Sequence, residues 1–180
     1  MRFILFSLTL LTSWTLAQPS CEVLLDSFTE ALETARSYSS TTTVFQGEKE
    51  VYYLVTDNRR DEAGEWQMEK LEERSALPFG DMGDGFGGDD DEDEETTEEA
   101  CEGATVEQVE GDWLLELPQE EDSPVEEWTM TFAPYRDTFL PGTMQGRFDV
   151  RILLIPFRGT FTTSFEDWAF DLNYTSPGER

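Results

Sequence analysis

From Leu24 to Ala35 apolar residues return at every third or fourth position, as Leu24, Leu25, Phe28, Ala31, Leu32 and Ala35, with Glu22, Asp26, Glu30 and Glu33 elsewhere. This spacing predicts an amphipathic helix of about four to five turns, capped by Ser20 and ending near Tyr38-Ser39-Ser40. The period then changes to that of strands. Thr41 to Gln46 and Glu50 to Thr56 are rich in Thr, Val and Tyr around Gly47-Glu48-Lys49, and read as a hairpin. Asp57 to Gly64 reads as a polar turn and Glu65 to Glu69 as a third strand.

The C-terminal third alternates most regularly. Trp128, Met130 and Phe132 face one way between Thr129 and Thr131. Phe148, Val150 and Ile152 alternate with Arg147, Asp149 and Arg151, and Trp168, Phe170 and Leu172 with Ala169, Asp171 and Asn173. Phe161 and Phe165 extend the pattern, Pro156 and Gly159 are expected to break the sheet into hairpins, and Gly111-Asp112 joins Ala104–Glu110 to Trp113–Leu117. One helix followed by eight or nine closely spaced strands predicts an α+β, mainly β fold. The helix packs on a curved antiparallel sheet, a half-barrel.

Residues 79-103 break this order. Residues 81-102 alone hold twelve carboxylates and no basic side chain, and the surrounding stretch offers glycines but no Val, Ile or Leu. Such a segment buries too little apolar area to offset its ordering entropy, so it reads as a disordered acidic insertion in a single β-rich domain spanning 18-180.

The N-terminus reads as an export signal. Arg2 precedes an apolar run from Phe3 to Leu16, and Thr15-Leu16-Ala17 places small residues where a signal peptidase reads, so cleavage is expected after Ala17. The run is shorter than the roughly 20 residues needed to span hydrocarbon, and no transmembrane segment is expected. The expected location is the bacterial periplasm or the medium. Gln18-Pro19-Ser20 departs from the small residues that precede a lipidated cysteine. In an exported chain the simplest pairing of Cys21 with Cys101 is one disulfide, the other reading being two idle thiols.

Charge narrows the chemistry. Twelve basic against forty acidic residues leave −28, and removing the twelve acids of 81-102 still leaves −16, a field that argues against nucleic acid. With no histidine there is no imidazole base, no Ser-His-Asp or Cys-His pair and no ordinary zinc site, so the chain reads as non-enzymatic, without cofactor or structured metal site. Gly83 to Gly88 lacks the lysine and following helix of a phosphate cradle. Asp81 to Gly85 does not satisfy an EF-hand, leaving weak divalent binding by a polyacid.

Residues Leu24 to Gln46, LLDSFTEALETARSYSSTTTVFQ, resemble the opening of the bacterial periplasmic lipoprotein-carrier superfamily, LolA-like and LppX-like proteins included. There an amphipathic helix ends in a Ser-Tyr-Ser-like segment and runs straight into the first strand of a half-barrel. The resemblance implies a lipid or lipoprotein acyl chain held between sheet and helix. The residues to hold an apolar ligand are Phe28, Leu32, Trp66, Trp113, Trp128, Phe132, Phe148, Trp168 and Phe170. The alternative is an envelope structural or interaction protein with a filled core, its acidic loop contacting a cationic partner or weakly binding divalent cations.

Overall fold

The computed structural model describes residues 18–76, 97–119, 125–152 and 155–170. Helix α1 (Cys21–Thr34) leads directly into β1 (Ala35–Gln46), followed by β2 (Lys49–Arg60) and β3 (Trp66–Ser75). A short α2 (Thr97–Ala100) precedes β4 (Thr105–Val109), β5 (Asp112–Leu117), β6 (Val125–Tyr135), β7 (Thr138–Ile152) and β8 (Ile155–Phe170). All eight strands join one open, curved antiparallel sheet in the order β3-β2-β1-β8-β7-β6-β5-β4, so β3 and β4 are its edges. The expected helix-on-half-barrel architecture is present, with eight strands among the described residues.

Register separates two faces, because directly paired residues project to the same side. Tyr52, Val44, Phe161 and Gly146 lie in one row, and Val106, Leu115, Met130, Met144 and Thr163 in another. These rows form the apolar face. The opposite face carries Thr41, Ser164, Thr143 and Thr131 across four neighbouring strands. The strict alternation of strands sorts the two sets.

Two clusters fill the apolar face. Under α1, Cys21 and Leu24 pack with Trp113, Leu115, Met130 and Phe132. Away from the helix, Val44, Val51, Tyr52, Phe148 and Phe157 form a second cluster that draws on no helical residue. Size explains the division. Eight strands about 4.8 Å apart span about 34 Å, whereas a helix is only about 10 Å across. A single helix therefore covers part of the face, and curvature of the sheet must close the rest.

Both ends of α1 are anchored. Ser20 holds extended backbone and its hydroxyl accepts from the Val23 N–H, satisfying an otherwise orphan donor as expected. Ser20 also draws the Glu22 carboxyl below its ordinary range through a hydrogen bond. Cys21 is disulfide-bonded to Cys101, with Cα atoms 5.7 Å apart across 80 positions of sequence. At the other end Arg60 donates to the Leu32, Glu33 and Ala35 carbonyls at 2.9, 3.2 and 3.2 Å, and to Gly64. Its guanidinium sits 4.6 Å from the centre of the Trp66 ring, which fixes the fork against β3.

Several expectations need correction. The helix stops at Thr34, not near Ser40: Arg36 to Thr43 carries Ser, Thr and Tyr, and pairing with both β2 and β8 outweighs another helical turn. Residues 57–60 extend β2, and the turn is confined to 61–65. There the Asp61 carboxylate accepts from the Ala63 and Glu65 N–H groups at 2.8 and 3.0 Å. Gly159 does not interrupt β8, because the Phe148 ring occupies the space above it. Of the expected insertion, 97–103 is ordered as α2 and a turn beside the disulfide; 79–96 lie outside the described residues, as do the signal at 1–17 and Leu172.

Candidate functional site

The nine residues expected to hold an apolar ligand divide into two groups. Trp113, Phe132 and Phe148 are core, with 5, 0 and 6 % of their surface exposed. Phe28, Leu32, Trp66, Trp128, Trp168 and Phe170 are half-buried, so each keeps a surface that something else can touch. The Trp113 indole N–H is the one buried side-chain donor without a partner among the described residues.

The half-buried rings are contiguous. Tyr38 on β1 stacks on Trp168 of β8 at 4.7 Å between centroids and meets Trp66 of β3 edge-on at 5.2 Å. Trp168 continues to Phe170 at 6.3 Å, and Phe170 to Tyr135 at 5.7 Å. Phe165 joins Tyr38 to Phe28 of α1, at 6.1 and 5.9 Å. The result is a strip of seven half-buried aromatic side chains from the β3 edge to the β6–β7 turn, passing the C-terminal half of the helix. Burial raises the Tyr38 phenol above its ordinary value. The Trp168 indole donates to the Pro141 carbonyl at 3.3 Å, which fixes its plane. Trp128 lies elsewhere, edge-on to Phe161 at 5.4 Å.

Between the two apolar clusters the same face carries hydroxyls. Thr42 and Thr163 share a 3.0 Å hydrogen bond, Ser40 and Thr56 one of 2.7 Å, and Asn58 donates to the Thr56 hydroxyl at 2.9 Å. Thr56, Asn58 and Thr163 are buried, so these bonds offset the cost of removing their polar groups from water. Neither the hydroxyls nor Tyr38, Tyr135 and Phe165 were among the expected site residues. The run Ser39-Ser40-Thr41-Thr42-Thr43 was the available signal, since every second hydroxyl of a strand there must face inward.

At the Tyr38 end the surface opens into a cleft of about 470 Å³ lined by Arg36, Ser37, Tyr38, Ser39, Asp57, Arg59, Arg60 and Asp167. Ser37 pairs with Arg59 and Ser39 with Asp57, so these four side chains project to the polar face. Arg59 is ion-paired to Asp57 through Nη2, and that carboxylate holds its guanidinium proton more tightly than usual. Asp167 occupies the left-handed backbone region, φ 54°, where β8 slips register against β1. Its carboxylate accepts from the Ser39 hydroxyl at 3.4 Å. A second cleft, of about 370 Å³, touches Phe148 and the Arg158–Asp149 pair.

Among the described residues no three carboxylate or cysteine side chains gather as a metal ion would require, and no helix is long and apolar enough to cross a membrane. No protein-family model, no curated protein and no solved structure matches this chain.

Proposed function

We propose that this is an exported bacterial envelope protein that carries or shields an apolar or amphiphilic ligand, such as a lipid or lipoprotein acyl chain, against the helix-side face of its sheet. The observation that carries the reading is the aromatic strip from Trp66 through Tyr38 and Trp168 to Tyr135. Seven adjoining rings that stay half-exposed on the apolar side of a sheet are a surface prepared for more apolar contact than the chain itself supplies. Ligand sites of this kind combine an apolar lining with a few fixed polar groups, and Ser40, Thr42 and Thr163 stand next to the strip. The likeness of residues 24–46 to lipoprotein carriers points the same way, as does the direct passage from α1 to β1. The disulfide fits an oxidising compartment.

A second reading is an envelope interaction protein with a filled core. It draws on the complete burial of Leu24, Leu115 and Phe132, which leave no space under the first half of α1.

The two readings part on one experiment. Delipidated protein titrated with a fluorescent fatty-acid analogue should bind it saturably, with a dissociation constant at or below about 1 μM. Trp168→Asp should abolish that binding while far-ultraviolet dichroism is retained. Folded, delipidated protein that ignores fatty-acid and phospholipid probes would leave the interaction reading standing.

A further inference from the structure

The acidity of this chain is interrupted at the β7–β8 hairpin. Of forty acidic side chains only Asp149 falls within residues 138–165, together with Arg147, Arg151 and Arg158. From Val150 to Phe157, seven of eight residues are apolar, and the two that join β7 to β8 in the sequence are Leu153 and Leu154.

The same hairpin outruns its neighbours. Among the described residues β6 last pairs with β7 at Val125 and Phe148, and β1 with β8 at Phe45 and Thr160. Four further pairs, from Asp149–Arg158 to Ile152–Ile155, join β7 to β8 with no third strand alongside. At about 3.4 Å per residue this ribbon reaches about 13 Å past the sheet. Its base is fixed, since Phe157 is buried and stacks on Phe148 at 5.4 Å between centroids. Arg158 is paired with Asp149 at 2.6 Å and Arg147 with Glu127 at 3.1 Å, so the ribbon is close to neutral and not a cationic patch.

We propose that the end of this hairpin docks on the surface of a zwitterionic lipid bilayer, with the Ile152–Ile155 pair leading. A bilayer presents apolar chains beneath a polar layer, and the ribbon presents an apolar end above a base of ion-paired arginines. The backbone limits the depth. The unflanked edges of a two-stranded ribbon carry N–H and C=O groups that hydrocarbon cannot satisfy, whereas head groups and water can. The contact therefore stays in the interfacial zone, about 5–10 Å deep, which the reach of the ribbon covers. A chain of charge −28 is repelled by anionic lipid, so a neutral surface is the fitting partner for its one nearly acid-free hairpin. Tyr38 and Trp168 of the aromatic strip lie toward the other ends of β1 and β8, so docking does not depend on the apolar-ligand reading.

Flotation of the folded, oxidised chain with phosphatidylcholine vesicles tests this. Half of the chain should float with the vesicles at a lipid concentration below about 1 mM, and added phosphatidylglycerol should weaken the association at low salt. Ile152→Asp combined with Ile155→Asp should weaken it at least tenfold at unchanged far-ultraviolet dichroism. Independently, Ile155→Trp keeps the end apolar, and on vesicles the introduced indole should add a blue-shifted emission that brominated phosphatidylcholine quenches. Failure of the parent chain to float, equal flotation of the double variant, tighter binding to anionic vesicles, or an introduced indole that is not quenched each overturns the proposal, whether or not the fatty-acid probe binds.

Discussion

Phe148 and Gly159 face one another across β7 and β8, and the phenyl ring fills the space a side chain at 159 would need. A Cβ there would stand 2.7 Å from Phe148 Cζ and 2.5 Å from the Phe45 carbonyl oxygen. The arrangement recurs one turn of the pleat away, where Phe161 lies over Gly146 on the opposite strand. Ring over glycine lets two strands come together with a large apolar side chain folded flat between them, inside the cluster that no helix covers.

Gly159→Ala and Gly146→Ala should therefore each destabilise the fold by about 1–3 kcal/mol, the usual cost of overpacking a filled core. Denaturant unfolding should register this as a lower midpoint at unchanged slope. An alanine tolerated at both positions without a shift would show that the rings are free to move aside.

The architecture was legible in the sequence where one face of an element is wet, and illegible where tertiary pairing overrode local preference. Leu24, Phe28 and Ala31 announce the helix, and Trp128, Met130 and Phe132 announce a strand with one buried face. The helix end was misplaced because Tyr38 and Ser40 continue a plausible helical surface, and only their pairing with Asn58, Thr56 and Phe165 puts them in a strand. Gly159 read as a break because a glycine's neighbour across the sheet is invisible in a linear pattern. The candidate residues were visible as aromatics, yet which of them are core and which half-exposed depends on where a single helix lies over a sheet far wider than itself.

Arg60 is the link between helix and edge strand, and lysine cannot replace it. Its fork reaches three carbonyls at the end of α1 while stacking on Trp66, and an ammonium offers neither the span nor the plane. Both Arg60→Lys and Arg60→Ala should cost about 1.5–3 kcal/mol, the scale of charge-assisted hydrogen bonds. Hydrogen exchange should speed up in residues 30–34 and 66–70 of either variant. Full rescue by lysine would reduce the role to charge alone.

The Cys21–Cys101 bond closes a loop of 80 residues, for which chain entropy alone sets an upper value of about 4–5 kcal/mol. Cys101→Ser, or reduction of the folded protein, should lower the unfolding midpoint and expose the α1–β5 cluster first, since Cys21 is packed among Leu24 and Trp113. Peptide mapping without reductant should recover the two cysteines joined. Two freely alkylatable thiols in the folded protein, isolated without reductant, would contradict the assignment.

Asp61 organises the β2–β3 turn, accepting first from the Glu65 N–H and also from Ala63 and the Gln67 amide, and these bonds hold its pKa below the ordinary aspartate value. A depressed carboxylate contributes stability that is complete above its unfolded pKa and is lost as the pH falls through its lower folded value. Asp61→Asn should accordingly be less stable than the parent at neutral pH, and the gap should close as the pH falls below about 4, so that the variant loses stability less steeply in acid. A variant that differs equally at neutral and acid pH would mean that the turn depends on shape and not on this charge.

Quenching by a brominated fatty acid measures most directly where an apolar chain rests on the sheet. Single-tryptophan variants retaining Trp66, Trp113 or Trp168 differ in exposure, the first and last half-buried on the aromatic strip and Trp113 sealed beneath α1. Saturable quenching of Trp66 and Trp168, with Trp113 spared, is the result expected of a ligand lying along the strip. Quenching of none of the three, or of all three equally, would contradict it.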